Sequence, residues 1–210
     1  MAGERAAARR AYHESEQHYR DAIAVLGTIP ESPERLHREM SLLLVLGNIL
    51  VATHGSSAVE TAEVYGRARS LAEREASSDS APMLFGETIA AVSQGKLLAA
   101  GAINRQIFEV ANRIASPRSL FLAHTAQGTV CHFLGDLIKD REHLAQAGRH
   151  DSSLDLRRLP HTPAITRLFV SGPTEWHLGY PGRAVLQMGE MLALARLIND
   201  PIASPIMEQA

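Results

Sequence analysis

Four glycines recur at nearly even spacing along this 210-residue chain. Gly55, Gly95, Gly135 and Gly179 lie 40, 40 and 44 residues apart, and each stands between two segments with helical periodicity. A repeat length in this range is typical of arrays in which pairs of helices stack side by side. The spacing therefore predicts four helical hairpins, each turning at one of these glycines.

The first hairpin shows the pattern in most detail. Ser32 and Pro33 precede an apolar stripe with three- and four-residue steps, which indicates a helix that starts at an N-cap serine and is buried on one side. After the turn THGSS, Ser57 and Glu60 have the spacing of a capping box and predict a second helix. The stripe of the first helix comprises Leu36, Met40, Leu43, Leu44, Gly47, Leu50 and Val51, and the second helix presents Ala62, Tyr65, Ala68 and Ala72 on one face.

No segment of the sequence has the pattern of a β-strand, since alternating β-branched runs and Asn-Gly or Asp-Gly turns are absent. The dipeptides Ser116-Pro117 and Thr162-Pro163 open two further first helices in the way that Ser32-Pro33 opens the earlier one. Pro173 falls inside the first helix of the last pair, where a proline removes a hydrogen bond and costs roughly 3 kcal/mol. We predict a kink or an early break of the helix at Pro173.

The predicted fold class is all-α, with antiparallel helix hairpins in a single domain over residues 1–210. A helix of an incomplete preceding repeat is expected at 1–28, and the start of an incomplete further repeat at 199–210. The four hairpins are expected at 32–76, 80–115, 116–150 and 162–198.

Composition argues against several function classes. The chain is 45% hydrophobic and 21% charged, which is enough apolar residues to form a core. A net charge of −2, with the basic residues spread along the chain, predicts no nucleic-acid and no membrane partner. The longest apolar run, Leu42 to Ala52, is about half of the ~20 residues that a membrane-spanning helix requires. Cys131 is the single cysteine and no secretion signal is visible, so the predicted location is cytoplasmic.

Ten histidines raise the question of a metal site. His124 and His132 are eight residues apart, a spacing that places them on one helix face, while His143 and His150 follow on the next antiparallel helix. Zinc sites usually combine histidine with cysteine or carboxylate ligands at tight spacings, and no such spacing occurs here. We interpret these histidines as surface or core residues, so no metal site and no cofactor is predicted.

Other candidates for catalysis also favour a structural interpretation. Cys131 has no organised His and acid pair, so we interpret it as a small buried hydrophobe. The Gly95-Lys96 pair lacks the leading glycine and the Ser or Thr of a phosphate-binding loop, and Ser171-Gly172 lacks the strand of a nucleophile elbow. Solvated helix faces are expected for Glu14, Glu16, Glu60, Glu63, Glu73, Glu75 and Glu142, and the aromatic residues Tyr65, Phe133, Trp176 and Tyr180 are expected to lock hairpins.

The chain resembles the tetratricopeptide-like helical region that follows the ATPase module in large bacterial signal-transduction ATPases, which are fused to class III nucleotide cyclase, kinase or transcription-activator domains. The resemblance covers nearly the whole chain. It rests on AGERA at 2–6, IPESPER at 29–35, LLLVLG at 42–47, VYGRARSLAE at 64–73, FLGD at 133–136, REHLAQA at 141–147, LGYPGRAV at 178–185 and LALAR at 192–196. The segment AAGAINRQ and Pro173 depart from the usual pattern.

This resemblance implies a right-handed superhelical array, that is, a tetratricopeptide-like α-solenoid, cut from a larger protein. It also implies a non-catalytic interaction or regulatory module, whose partner is a protein, a peptide or a sister domain of a parent ATPase or cyclase. Stacked arrays need polar capping repeats, so self-association through uncapped ends is a further expectation. The alternatives are a free-standing adaptor and, less favoured, an enzyme or metal-binding protein that uses the histidine-rich third hairpin.

Overall fold

The computed structural model describes residues 2–74, 79–151 and 162–198, and it describes side chains at 11–74, 79–150 and 163–196. These parts of the chain form nine α-helices and no strand, which confirms the all-α prediction. The predicted further repeat at 199–210 lies outside the described residues. In chain order the helices are α1 (Ala2–Gly27), α2 (Pro33–His54), α3 (Val59–Arg74), α4 (Ala81–Ser93), α5 (Leu97–Ile114), α6 (Pro117–Leu134), α7 (Leu137–Asp151), α8 (Thr162–His177) and α9 (Pro181–Ile198).

The helices pair as α2 with α3, α4 with α5, α6 with α7 and α8 with α9. The turn within each pair contains one of the four evenly spaced glycines, and all four have positive φ: 89° at Gly55, 73° at Gly95, 81° at Gly135 and 85° at Gly179. Because a β-carbon disfavours this conformation, glycine is the residue best suited to these positions. The turn glycines are therefore where the backbone requires them.

The pairs also contact one another sideways. The first helix of a pair packs against both helices of the pair before it, so that α6 contacts α4 and α5 as well as its own partner α7. In the same way α8 contacts α6 and α7. The first helices α2, α4, α6 and α8 consequently form one continuous layer.

The largest apolar core lies around α4 and α6, the two helices in the middle of this layer. Phe121 and Ile107 are fully buried there, and Leu84 and Leu122 are 2% exposed. Every residue from Met83 to Thr88 is buried, which is the behaviour of a helix that has neighbours on several sides. A second core joins α1, α2, α3 and α4 through Ile23, Leu43, Leu50, Ala68 and Met83.

The N-caps predicted at two serines are confirmed, and the N-cap predicted at a third serine is wrong. The Ser32 hydroxyl accepts a hydrogen bond from the Arg35 N–H at 3.2 Å, and Ser116 does the same for Ser119. Ser57 does not cap α3, because this helix begins at Val59 and the Ala62 N–H bonds to the Ala58 carbonyl at 3.4 Å. The capping position is thus Ala58. The Thr61 hydroxyl instead fastens α3 to its turn by donating to the Gly55 carbonyl at 3.1 Å.

Of the kink or early break predicted at Pro173, the early break does not occur, because α8 is continuous to His177. Residues on both sides of the proline are buried, with Leu168 3% and Thr174 1% exposed. The helix is held by contacts with α6, α7 and α9. Tertiary packing therefore outweighs the hydrogen bond that the proline removes.

Among the helices that the structure describes, α2 alone is long and apolar enough to cross a membrane by length and composition. Its most apolar 18-residue window has a mean hydropathy of 1.3, and 44% of that window is buried inside the protein. The buried residues of α2 form part of the core shared with α1, α3 and α4. The core helix of a folded protein passes the same test of length and composition, so α2 is weak evidence for a membrane span.

Candidate functional site

A groove runs across the layer of first helices. It is lined by the C-terminal half of α2, the start of α3, most of α4, and the N-terminal parts of α6 and α8. It is narrow, because the space inside it that the centre of a water molecule can occupy is about 30 Å³. Its lining is mostly apolar, with Leu44 and Val51 from α2, Phe85 and Ile89 from α4, and Leu122 from α6. An apolar groove between helices is a common form of surface that binds a ligand or another chain.

Tyr65 forms the floor of this groove and is only 3% exposed. Its hydroxyl donates a hydrogen bond to the Asn48 side-chain oxygen at 2.8 Å. Its ring lies against Gly47 of α2 and Gly86 of α4, where a β-carbon would come within 2.6 Å of ring atoms. The prediction that Tyr65 lies at the contact between α2 and α3 is confirmed, and the side chain also reaches α4.

The polar groups in the groove fall into two sets. Asn48 and Thr61 are already hydrogen-bonded, to Tyr65 and to the Gly55 carbonyl. Arg118, in the first turn of α6, has a buried Nε without a hydrogen-bond partner in the parts of the chain that are described. Sequence reasoning did not single out Arg118, since one arginine among 21 basic residues carries no local signal.

Three of the four candidate histidines lie together. The Nδ1 atoms of His124 and His143 are 3.0 Å apart, and the ring of His150 stacks on His124 with centroids 6.3 Å apart. The Phe108 ring meets His124 edge-on at 5.1 Å. Burial, together with the neighbouring His143 and His150, lowers the pKa of His124 to about 4, and burial also lowers the pKa of His143. The pair is therefore neutral around pH 7, with one ring nitrogen donating to the other.

His132 does not join this group. Its Nδ1 lies 3.0 Å from the Asp140 Oδ2 and 2.9 Å from the Thr174 Oγ1. Thr174 also bonds to Asp140, so α6, α7 and α8 meet at one fully buried carboxylate. His124 and His132 lie on the same helix, but each contacts different neighbours. In the described ranges, no group of three or more His, Cys, Asp or Glu side chains is placed to hold a metal ion.

The other candidates for catalysis occupy structural positions. Cys131 is 4% exposed, and burial raises the pKa of its thiol, which disfavours the nucleophilic thiolate. Gly95 forms the turn before α5, with Lys96 next to it. Ser171 lies inside α8, where its hydroxyl donates to the Leu168 carbonyl at 3.2 Å. This geometry differs from the strand-to-helix turn of a nucleophile elbow.

Glu16 departs from the expectation of a solvated face, and several carboxylates outside that prediction are also buried. Glu16 is 9% exposed and contacts Arg20 and Thr53 at 2.8 and 3.1 Å. Glu39, Glu87, Asp140 and Glu175 are also buried, and no pattern in the sequence singles them out. Glu39 accepts from Arg35 and Arg67, and Glu87 accepts from Arg69 at 2.8 Å. The contacts with Thr53, Arg67 and Arg69 join neighbouring helices, whereas those with Arg20 and Arg35 lie within one helix.

Three aromatic residues do not lock their hairpins as expected. The exposed fractions are 62% for Trp176, 55% for Phe133 and 44% for Tyr180. The guanidinium groups of Arg141 and Arg183 lie over the Tyr180 ring, 5.4 and 5.0 Å from its centroid. These side chains therefore lie on the surface of the protein rather than in its core.

Fold and groove together define an all-α protein made of laterally packed helix hairpins, with an apolar groove across the layer of first helices. Comparison of the chain with models of protein families finds no match, and comparison with curated proteins finds none either.

Proposed function

We propose that this protein is a non-catalytic interaction and regulatory module that binds a protein segment in the groove across α2, α4, α6 and α8. The observation that carries the proposal is the apolar lining of the groove over a floor held rigid by Tyr65 between Gly47 and Gly86. An apolar groove gives a partner's apolar side chain a surface against which it is removed from water.

The architecture within this proposal is a tetratricopeptide-like α-solenoid with a right-handed superhelix. The glycine spacing and the contacts between successive first helices support it, and the groove then lies on the concave face. Its place in the cell is the cytoplasm of a bacterium, as the sensor or scaffold part of a larger ATPase- or cyclase-linked signalling protein. That context rests on the sequence resemblance alone.

Self-association is a second mode of interaction that the proposal includes. Val185 and Leu186 on α9 are each 68% exposed, and Val25 on α1 is 62% exposed. Exposed apolar side chains on the first and last described helices are suited to contact with a further helix.

The groove is tested by selecting short random peptides on the full chain and measuring the affinity of labelled synthetic copies. Val51→Glu places a charge in the lining, and Val45→Glu makes the same change on α2 outside the groove. We expect Val51→Glu to weaken peptide binding by about tenfold or more, since it places a charge against apolar surface.

Val45→Glu, whose side chain is 38% exposed in the parent protein, is expected to bind the peptides as the parent does. Both variants are first compared with the parent by thermal denaturation, so that a folding defect is not taken for a binding defect. The proposal fails if no peptide is selected above background, or if the selected peptides bind Val51→Glu and the parent equally well.

A further inference from the structure

Three histidines of the third hairpin lie together where α6 meets α7. His124 is on α6, and His143 and His150 are seven residues apart on α7, which places them on the same face of that helix. The centroid of the His124 ring is 5.3 Å from that of His143 and 6.3 Å from that of His150. Neutral imidazole is the commonest metal ligand among side chains, and Zn²⁺ and Cu²⁺ are among the ions that it binds. The cluster therefore contains the right type of ligand for a transition-metal ion.

The two closest nitrogens of the cluster have the separation that two ligands of one metal ion require. The Nδ1 atoms of His124 and His143 are 3.0 Å apart. Metal–nitrogen bonds of about 2.0–2.1 Å place two ligating nitrogens about 2.9 Å apart at a right angle and about 3.3 Å apart at the tetrahedral angle. The observed separation lies between these values. A small rotation of the two rings is therefore enough to direct both lone pairs at one ion.

The surroundings of the pair favour binding of a metal ion. Phe108 of α5 packs against both rings, with its centroid 5.1 Å from that of His124 and 6.3 Å from that of His143. This contact shields one side of the pair from water and limits the orientations of the rings. Burial lowers the pKa of both histidines, so both rings are neutral around pH 7, and a neutral ring is the form that binds metal.

The charged side chains near His143 also favour a cation. Burial has the largest effect on the pKa of His143 and lowers it. Among the neighbouring charges, Glu142 and Asp140 act to raise this pKa, and Lys139 acts to lower it. Two carboxylates thus act on His143 against one ammonium group, and their combined field attracts a positive ion.

We propose that His124 and His143 bind one divalent transition-metal ion, such as Zn²⁺ or Cu²⁺, through their Nδ1 atoms, with water molecules as the remaining ligands. The ion takes the place of the hydrogen bond between the rings. The proton that one Nδ1 carries in that hydrogen bond moves through solvent to the Nε2 of the same ring, so both ligands stay neutral. The bound ion then fastens α6 to α7.

This site is of the exchangeable kind, because the pair supplies two ligands where a structural zinc site has four. In the described parts of the chain, no third His, Cys, Asp or Glu is placed to complete such a set. No local spacing reveals the pair, since 19 residues separate its members. The inference is independent of the groove, whose lining includes neither histidine.

The test uses the full chain without a histidine tag, at about pH 7.5, where unperturbed histidine is also mostly neutral. Binding of ZnCl₂ and CuCl₂ is measured by isothermal titration calorimetry for the parent, His124→Gln and His143→Gln. His177→Gln is the matched control, because His177 is an exposed histidine on α8 outside the cluster. Thermal denaturation of all four proteins without metal first establishes that each one folds.

We expect the parent to bind one ion per chain, and to bind Cu²⁺ more tightly than Zn²⁺. The melting temperature is expected to rise with the metal concentration, because the folded chain alone holds the two rings together. His124→Gln and His143→Gln are each expected to weaken binding by about tenfold or more and to lose this rise. His177→Gln is expected to match the parent. The electron paramagnetic resonance spectrum of the Cu²⁺ complex is expected to show coupling to two nitrogens.

The proposal is overturned if the parent binds neither ion, or if both glutamine variants bind as tightly as the parent. A pair that serves packing alone would lower the melting temperature of the variants without metal and give the parent no rise with metal. The spectrum of the parent decides the matter even if a variant does not fold, because coupling to fewer than two nitrogens excludes the pair as the site. None of these results bears on peptide binding in the groove.

Discussion

The ring of Tyr65 fills the space that a β-carbon on Gly86 would need, with ring atoms 2.6 Å from that position. Gly47 on α2 meets the same ring equally closely. A tyrosine from α3 therefore joins two first helices that belong to successive pairs. This contact lies directly beneath the groove, so the stability of the array and the shape of the groove depend on the same three residues.

The first prediction concerns this contact. Gly86→Ala is expected to lower the free energy of unfolding by about 2 kcal/mol, because the new methyl group would overlap the buried Tyr65 ring. Chemical denaturation measures the change. The control is Gly66→Ala on α3, where the new methyl group would meet only the Glu87 Oε1 at 3.6 Å. That variant is expected to be as stable as the parent or more stable by up to about 1 kcal/mol. Equal effects of the two substitutions would contradict the prediction.

The second prediction concerns the buried carboxylate of Asp140. Asp140→Ala is expected to destabilise the protein by about 3 kcal/mol, since it leaves His132 and Thr174 without their shared partner between α6, α7 and α8. Glu142→Ala changes an exposed acid on the same helix and is expected to stay within about 0.5 kcal/mol of the parent. Urea denaturation of the three proteins measures the difference. A small effect of Asp140→Ala would show that these helices are held by apolar packing alone.

The third prediction concerns acid stability and His124. Its pKa in the folded chain is lowered from 6.5 to about 4, with burial as the main cause and His143 and His150 as contributors. The unfolded chain therefore binds more protons than the folded chain below about pH 6.5, and the free energy of unfolding falls as the pH falls towards 4. Above about pH 6.5, His124 causes no loss of stability. His124→Gln is expected to lose less stability than the parent between about pH 7 and pH 5.

Denaturant titrations at the two pH values measure this difference, and carboxylates that titrate in the same range contribute to parent and variant alike. His177→Gln serves as the control, because His177 is exposed and lies outside the His124 group. It is expected to follow the parent. If the free energy of unfolding of His124→Gln depends on pH as that of the parent does, His124 does not make the expected contribution to acid stability.

The fourth prediction compares Ser116 and Ser57, which the sequence predicts to be N-caps of two different helices. Ser116→Ala is expected to cost about 1 kcal/mol, because its hydroxyl caps α6 through the Ser119 N–H. Ser57→Ala is expected to have no measurable effect on stability, since the capping position of α3 is Ala58. Thermal denaturation of both variants provides the measurement. Equal losses of stability would indicate that Ser57 caps α3 and would contradict the start of α3 at Val59.

Much of the helical structure is readable in the sequence, for local reasons. A serine before a proline starts α2 and α6, and a glycine at positive φ ends the first helix of a pair. The apolar stripe of α2 predicts its buried face, where Leu43 and Leu50 are 1% and 0% exposed. These features depend on residues within one or two helical turns, so a single sequence contains them.

The groove and the buried polar contacts depend on residues that are far apart in the chain. Tyr65 meets Gly86, His132 meets Thr174, and Arg118 shares a groove with Val51 only after the helices have packed. Periodicity indicates that a helix has an apolar face, but it leaves open how the helix is rotated against each neighbour. That rotation is set by the fit of side chains from several helices at once. For the same reason Pro173 stays inside α8, where packing on both sides outweighs a local preference to end the helix.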